Sequence, residues 1–330
     1  MDRFERLHAA LEGKPVDRVP VSAWGHFYDK ETSAEGLADI MVSFHKAYDW
    51  DFLKIHARAS YHVEGFGFTY APSGNRSRLH SCTSQPIRTA ADWRKLQPLP
   101  LTHPVFEEQF RAIELIRREV KDAPIIMTVF TPLDIADKLI DRNADLLAQH
   151  IAEDADSVRH ALSVFAESFA PFVRKLASTG IDGIYFSSKW VNNDPITTRQ
   201  YRDLAMDFDL QMIREADGLW CNLFHLCQGG VDLGLVKEYP VQVFHWDANA
   251  PANPAYGEGR TRVPGAAVSG GVDAATLANA TPEDVTRKAV AAIEDTGGRR
   301  FVLGPGCSIV TARTPDENLK ALRSAPETTG

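Results

Sequence analysis

Apolar positions along the chain follow two alternating patterns. Short β-branched or aromatic runs give way to longer segments whose apolar residues recur at every third and fourth place, the periods of a buried strand and an amphipathic helix. Strand character falls at 18–24, 51–56, 124–130, 183–187, 219–225, 241–246, 266–269 and 300–303. Between them, 34–49, 104–121, 153–179 and 197–215 have the length and period of crossover helices. Thr281-Pro282-Glu283-Asp284 opens a further helix with a cap, a proline at the first helical position and early acids, and Thr314-Pro315-Asp316-Glu317 opens the last in the same way. Eight strands interleaved with helices predict an α/β protein, a single (β/α)8 TIM barrel over 1–330. An open doubly wound sheet is the alternative. It lacks its usual support, because no GxGxxG follows the first strand and no GxxxxGK[ST] occurs. The Pro-, Gly- and Ser-rich stretch 67–103 reads as a long insertion between strands two and three, and 324–330 as a disordered tail.

Charge narrows the partners. Against 36 basic residues stand 44 acidic ones, a net charge of -8, with no extended basic block. Nucleic acid and an anionic membrane surface are poor fits. The first twenty residues are charged and amphipathic rather than signal-like, and no apolar run approaches the ~18 residues of a membrane span. Four cysteines in 330 residues are too few for a disulfide framework. The expected compartment is a reducing cytoplasm, where thiols are free for metals or chemistry.

In a barrel the chemistry gathers where strands finish. The sharpest feature there is His225-Leu226-Cys227: in an extended segment residues two apart share a face, so an imidazole and a thiol can converge. Cys307 follows strand eight in Gly304-Pro305-Gly306-Cys307, whose glycines let the backbone bring the sulfur inward. One nitrogen and two thiolates make a three-ligand zinc site with the fourth position open. Spacing alone leaves a second reading, three buried core residues, because free cysteine is among the most buried types. Cys221 reads as structural, in a lower layer of the barrel, and Cys82 as an unpartnered thiol. His26, His56, His62 and His245 lie near strand ends, where they could line a pocket or serve as hydrogen-bonded packing residues. Asp247 and Asp273 end strands six and seven; either could act on the metal site, orient His225 or cap the next helix.

These residues match a known pattern. The chain resembles the uroporphyrinogen decarboxylase superfamily, and within it the zinc-dependent corrinoid methyltransferase branch that includes methylcobamide:coenzyme M methyltransferases. The segment 3–20, with Gly13-Lys14-Pro15-Val16-Asp17-Arg18-Val19-Pro20, looks like the family's N-terminal helix and entry to strand one. Val129-Phe130-Thr131-Pro132-Leu133 looks like its strand-three end, and 314–322 like its closing helix. His225-x-Cys227 with Cys307 is similar to the branch's His-x-Cys…Cys zinc motif. One departure matters: where the decarboxylase carries an Arg-Gln-Ala-Gly-Arg segment for substrate carboxylates, this chain reads Ser22-Ala23-Trp24-Gly25-His26-Phe27-Tyr28. Porphyrinogen decarboxylation is therefore not expected.

The resemblance implies a zinc-dependent methyltransferase in which His225, Cys227 and Cys307 hold Zn2+, and a thiol at the open position accepts a methyl group from methylcobalamin or another corrinoid. A related acceptor such as a folate is a variant of the same reading. The chain carries no Asp-x-His-x-x-Gly cobalamin motif, so a separate corrinoid protein or free methylcobalamin is the expected donor. Asp247 and Asp273 are the candidate catalytic carboxylates; Trp24, His26, His56, Arg58 and Lys189 are the candidate substrate-binding residues, Arg58 or Lys189 meeting an anionic group on the thiol. A homodimer is the family-level expectation. Two rivals remain: a metal-free decarboxylase-like lyase using Arg58 and Asp247, and a non-catalytic corrinoid-binding partner.

Overall fold

A computed structural model describes residues 1–328. Its strands are β1 (Leu53–Ile55), β2 (Thr69–Ala71), β3 (Ser81–Ser84), β4 (Ile125–Phe130), β5 (Gly183–Ser188), β6 (Leu223–Leu226), β7 (Val243–His245), β8 (Ala267–Val272) and β9 (Phe301–Pro305). Seven of them form one curled parallel sheet in the order β1-β4-β5-β6-β7-β8-β9. Helices cross between consecutive strands, among them Ala34–Tyr48, Pro104–Glu119, Ala155–Leu176 and Pro282–Thr296. The alternating in-and-out pattern of the strands splits the core in two. Leu53, Ile55, Ile125, Met127 and Phe186 face the helices. Phe52, Ile126, Tyr185, Leu223, Val243, Ala267 and Val302 face inward, and Leu7 and Leu11 of the helix Arg3–Glu12 pack against them as a floor. Cys221 belongs to this inner layer, as expected.

The expected first strand does not form as a strand. Residues 19–25 nevertheless take the eighth place, between β9 and β1. The Leu303 N–H donates to the Pro20 carbonyl and the Ser22 N–H to the Leu303 carbonyl, with isolated bridges Val21 to Leu303 and Gly25 to Ile309. On the other side the Asp51 N–H donates to the Val21 carbonyl. There the ladder stops, because Pro20 has no N–H, Val21 donates to the Asp51 carboxylate at 2.8 Å, and the Ser22 hydroxyl donates to the Phe52 carbonyl at 2.7 Å. Asp51, fully buried, also accepts from Arg6 and Arg18.

Within segment 67–103, β2 and β3 pair antiparallel, and Trp93, fully buried, donates from Nε1 to His150 Nδ1 at 3.1 Å. Three other expectations need correction. The last helix is Asp316–Ser324 with Pro315 at the cap position, because the Thr314 hydroxyl donates backward to the Val310 carbonyl. Residues 325–328 form a short helical turn with Ala325 and Pro326 buried, not a disordered tail; 329 and 330 lie outside the described residues. The segment 197–215 divides into Thr198–Leu204 and Met206–Ile213 at Ala205. Among the described residues no helix is long and apolar enough to cross a membrane.

Candidate metal centre

β6 carries His225 on its inner face, and Cys227 follows two places on, so both side chains point into the mouth of the barrel at the C-terminal ends of the strands. Cys307 comes from the turn after β9. Gly306 lets that turn pass against Asp247: a Cβ there would stand 2.4 Å from Asp247 Cγ. The result is a compact donor set, with His225 Nε2 3.5 Å from Cys307 Sγ, the two sulfurs 4.0 Å apart, and one ligand atom from each residue within 4.8 Å of the others. A tetrahedral zinc ion with ordinary bond lengths needs about 3.6 Å between nitrogen and sulfur and about 3.8 Å between two sulfurs. The residues present fit the ion: two of the three spacings lie within a few tenths of an ångström of these values, and the third pair, within 4.8 Å, closes with a shift of up to about 1 Å.

The electrostatics suit it as well. The Cys227 thiol donates toward Cys307, which holds Cys307 well below the ordinary thiol range, and the same bond together with burial pushes Cys227 up. The shift favours the thiolate form of Cys307, which is the ligand form.

The donor set opens on a cavity of about 290 Å3. Trp24, Phe130 and Tyr185 supply aromatic wall, Lys138 and Arg142 supply cations, and Lys54 lines the cavity beside them. Of the substrate-binding candidates, Trp24, His26 and His56 line it. His26 Nδ1 pairs with buried Glu31 at 2.9 Å, and its ring meets that of His56 edge-on. Arg58 and Lys189 do not line it. Arg58 is clamped by Glu64 and Glu108, and the Lys189 ammonium pairs with buried Asp137 at 2.8 Å. Nor do the two acids reach the cavity: Asp273 caps the helix Ala274–Asn279 and pairs with Lys288, and Asp247 accepts from the Asn249 N–H and side chain. His62 packs under Phe130, accepting its N–H. Cys82 sits half-exposed in β3.

Sequence reasoning missed Lys54. It is buried, bonded to His56 Nδ1 at 2.7 Å, and its Nζ lies 3.9 Å from the Tyr185 ring centre. Burial pushes both Lys54 and His56 well below their ordinary pKa values. The signal was available: in Phe52-Leu53-Lys54-Ile55-His56 the two polar residues share the face of Phe52, which is the inner one.

A parallel barrel with an imidazole and two thiols at its C-terminal mouth has its polar side chains where enzymes of this architecture gather their chemistry, in a set that could hold a metal ion. The chain belongs to the uroporphyrinogen decarboxylase (URO-D) family, which it matches over residues 2–328. It is 22% identical to the methylcobamide:CoM methyltransferase MtbA of Methanosarcina mazei, over 96% of this chain and 95% of that one. To the methylcobamide:CoM methyltransferase MtaA of Methanosarcina barkeri it is 24% identical, over 97% and 96%. Its fold superposes on a methyltransferase from Methanosarcina mazei with a TM-score of 0.82, at 21% identity over 100% and 99% of the two chains. A B12-independent methionine synthase from Shewanella sp. shares the fold at a TM-score of 0.61, with 15% identity over 97% and 98%. The resemblance read from the motifs agrees with these findings.

Proposed function

We propose that the protein is a methyltransferase that moves a methyl group between a corrinoid and a thiol, with zinc held by His225, Cys227 and Cys307. The observation that carries this reading is the donor set itself, three ligand atoms within 4.8 Å at the mouth of the barrel. The names of the full-length relatives, all methylcobamide:CoM methyltransferases, support the kind of reaction. When bound, zinc supplies Lewis acidity at its fourth position, lowering the pKa of an entering thiol.

The rest falls to the chain. Trp24, Phe130 and Tyr185 exclude water from the transfer path. Lys54 and His56, bonded to each other and with their charged forms disfavoured by burial, offer an acceptor for the proton the thiol gives up. The transfer forms a carbon–sulfur bond and breaks the carbon–cobalt bond, whose electron pair stays on cobalt. Lys138 and Arg142, rather than Arg58 and Lys189, are the cations placed to meet an anionic acceptor. A separate corrinoid protein or free methylcobalamin is the donor in this reading, and a reducing cytoplasm keeps Cys227 and Cys307 as thiols. The metal-free lyase loses its residues, since Arg58 is neutralised by two glutamates and Asp247 serves a turn.

Metal analysis of protein purified without chelator tests the reading. About one zinc per chain is expected, with Cys227→Ser and Cys307→Ser each losing most of it together with methyl transfer from methylcobalamin to a thiol. Zinc below about one-third per chain, with Cys227→Ser fully active, overturns it.

A further inference from the structure

His245 stands beside His225 in the register of neighbouring parallel strands, and both rings turn into the barrel. It is fully buried, and its ring lies behind the cavity wall rather than in it. Its Nε2 is 2.8 Å from the Pro305 carbonyl oxygen. Its Nδ1 is 2.7 Å from His225 Nδ1 and 3.2 Å from the Tyr185 hydroxyl.

These contacts determine where the hydrogens sit. A carbonyl oxygen can only accept, so His245 Nε2 carries a proton. An imidazolium here would be a fully buried charge whose ring contacts are another imidazole, a hydroxyl and a carbonyl, so the ring is neutral and Nδ1 is bare. The hydrogen between the two Nδ1 atoms therefore belongs to His225. In neutral His225, the form that binds a metal, the lone pair is then on Nε2, the nitrogen that faces Cys307 Sγ at 3.5 Å.

Resting on the metal-site reading above, we propose that His245 is a positioning residue: anchored on the Pro305 carbonyl, it holds His225 in the Nδ1–H tautomer and presents Nε2 to the metal beside the two sulfurs. Pro305 lies two places before Cys307, so the backbone that delivers one sulfur also orients the nitrogen ligand. A metal-binding histidine ordinarily fixes its ring through a carboxylate, a carbonyl or water. Here a second imidazole relays the carbonyl.

Nitrogen NMR of the full-length, metal-free protein labelled in histidine reads the tautomers directly. His225 is expected as Nδ1–H and His245 as Nε2–H; His225 protonated on Nε2 overturns the proposal. In chelator competition, His245→Phe is expected to bind zinc about 10- to 100-fold more weakly than the unaltered protein. His245→Gln, whose side-chain carbonyl can still accept from His225 Nδ1–H, recovers most of that loss. A folded His245→Phe protein with undiminished zinc affinity also overturns the proposal, and if that variant does not fold the tautomers decide. No zinc uptake by the unaltered protein sinks the metal reading itself, whereas zinc uptake with the other tautomer sinks the role of His245 alone.

Discussion

Cys307 reaches the centre only because residue 306 has no side chain. A Cβ at Gly306 would press on Asp247 Cγ, Oδ1 and Cβ, all closer than 3.0 Å, and the turn carrying Cys307 would have to move. Gly306→Ala is therefore expected to weaken zinc binding by about tenfold or more while leaving the fold intact, read by chelator competition and thermal unfolding. Unchanged zinc affinity would show that the turn yields without moving the sulfur. Single residues also show what one-dimensional reading can see. His225 and Cys227 were legible because their pairing follows from a period of two within one strand. The pairing of Arg58 and Lys189, candidates for substrate cations, was not legible because their partners, Glu108 and Asp137, lie 50 or more positions away on other elements. His245 was noticed as a strand-end histidine, yet its bond to His225 depends on strand register.

At the scale of elements, the break in segment 197–215 carries a buried carboxyl. Asp209, fully buried in Met206–Ile213, accepts from Tyr201 of the preceding helix and, at 2.9 Å, from Tyr239. Burial raises its pKa to about 7 despite those two donors. Its unfolded value is about 3.9, so between roughly pH 4 and 7 the native state holds a proton that the unfolded chain has released. The stability tied to this proton is complete below the unfolded value and is lost as pH rises through about 7. Urea unfolding at intervals from pH 4 to 8 should show this as a contribution of up to about 1.4 kcal/mol per pH unit, absent in Asp209→Asn. A difference between the two proteins that does not change with pH would rule the account out. The helices here were legible from their apolar period, but the break at Ala205 was not, since no proline or glycine marks it.

At the scale of the molecule, closure of the barrel depends on one buried acid. Asp51 accepts from Arg6, Arg18 and the Val21 N–H, tying the floor helix and the irregular eighth segment to β1. Its removal leaves two largely buried guanidinium groups without that acceptor. Asp51→Ala is expected to cost about 3–5 kcal/mol in denaturant unfolding, a loss below about 1 kcal/mol arguing that the backbone contacts suffice. The same network explains the Asp17-Arg18-Val19-Pro20 motif: Asp17 pairs with Arg6, Arg18 with Asp51, and Pro20 ends the ladder. By itself the sequence determined the alternation of the sheet's main strands with helices, the barrel class and the His225-Cys227 pair, because periodicity and local spacing are properties of the chain. The tertiary structure alone decided which charges face the cavity, how β9 and β1 are joined, and which nitrogen of His225 is free, because each depends on atoms brought together from positions far apart in the chain.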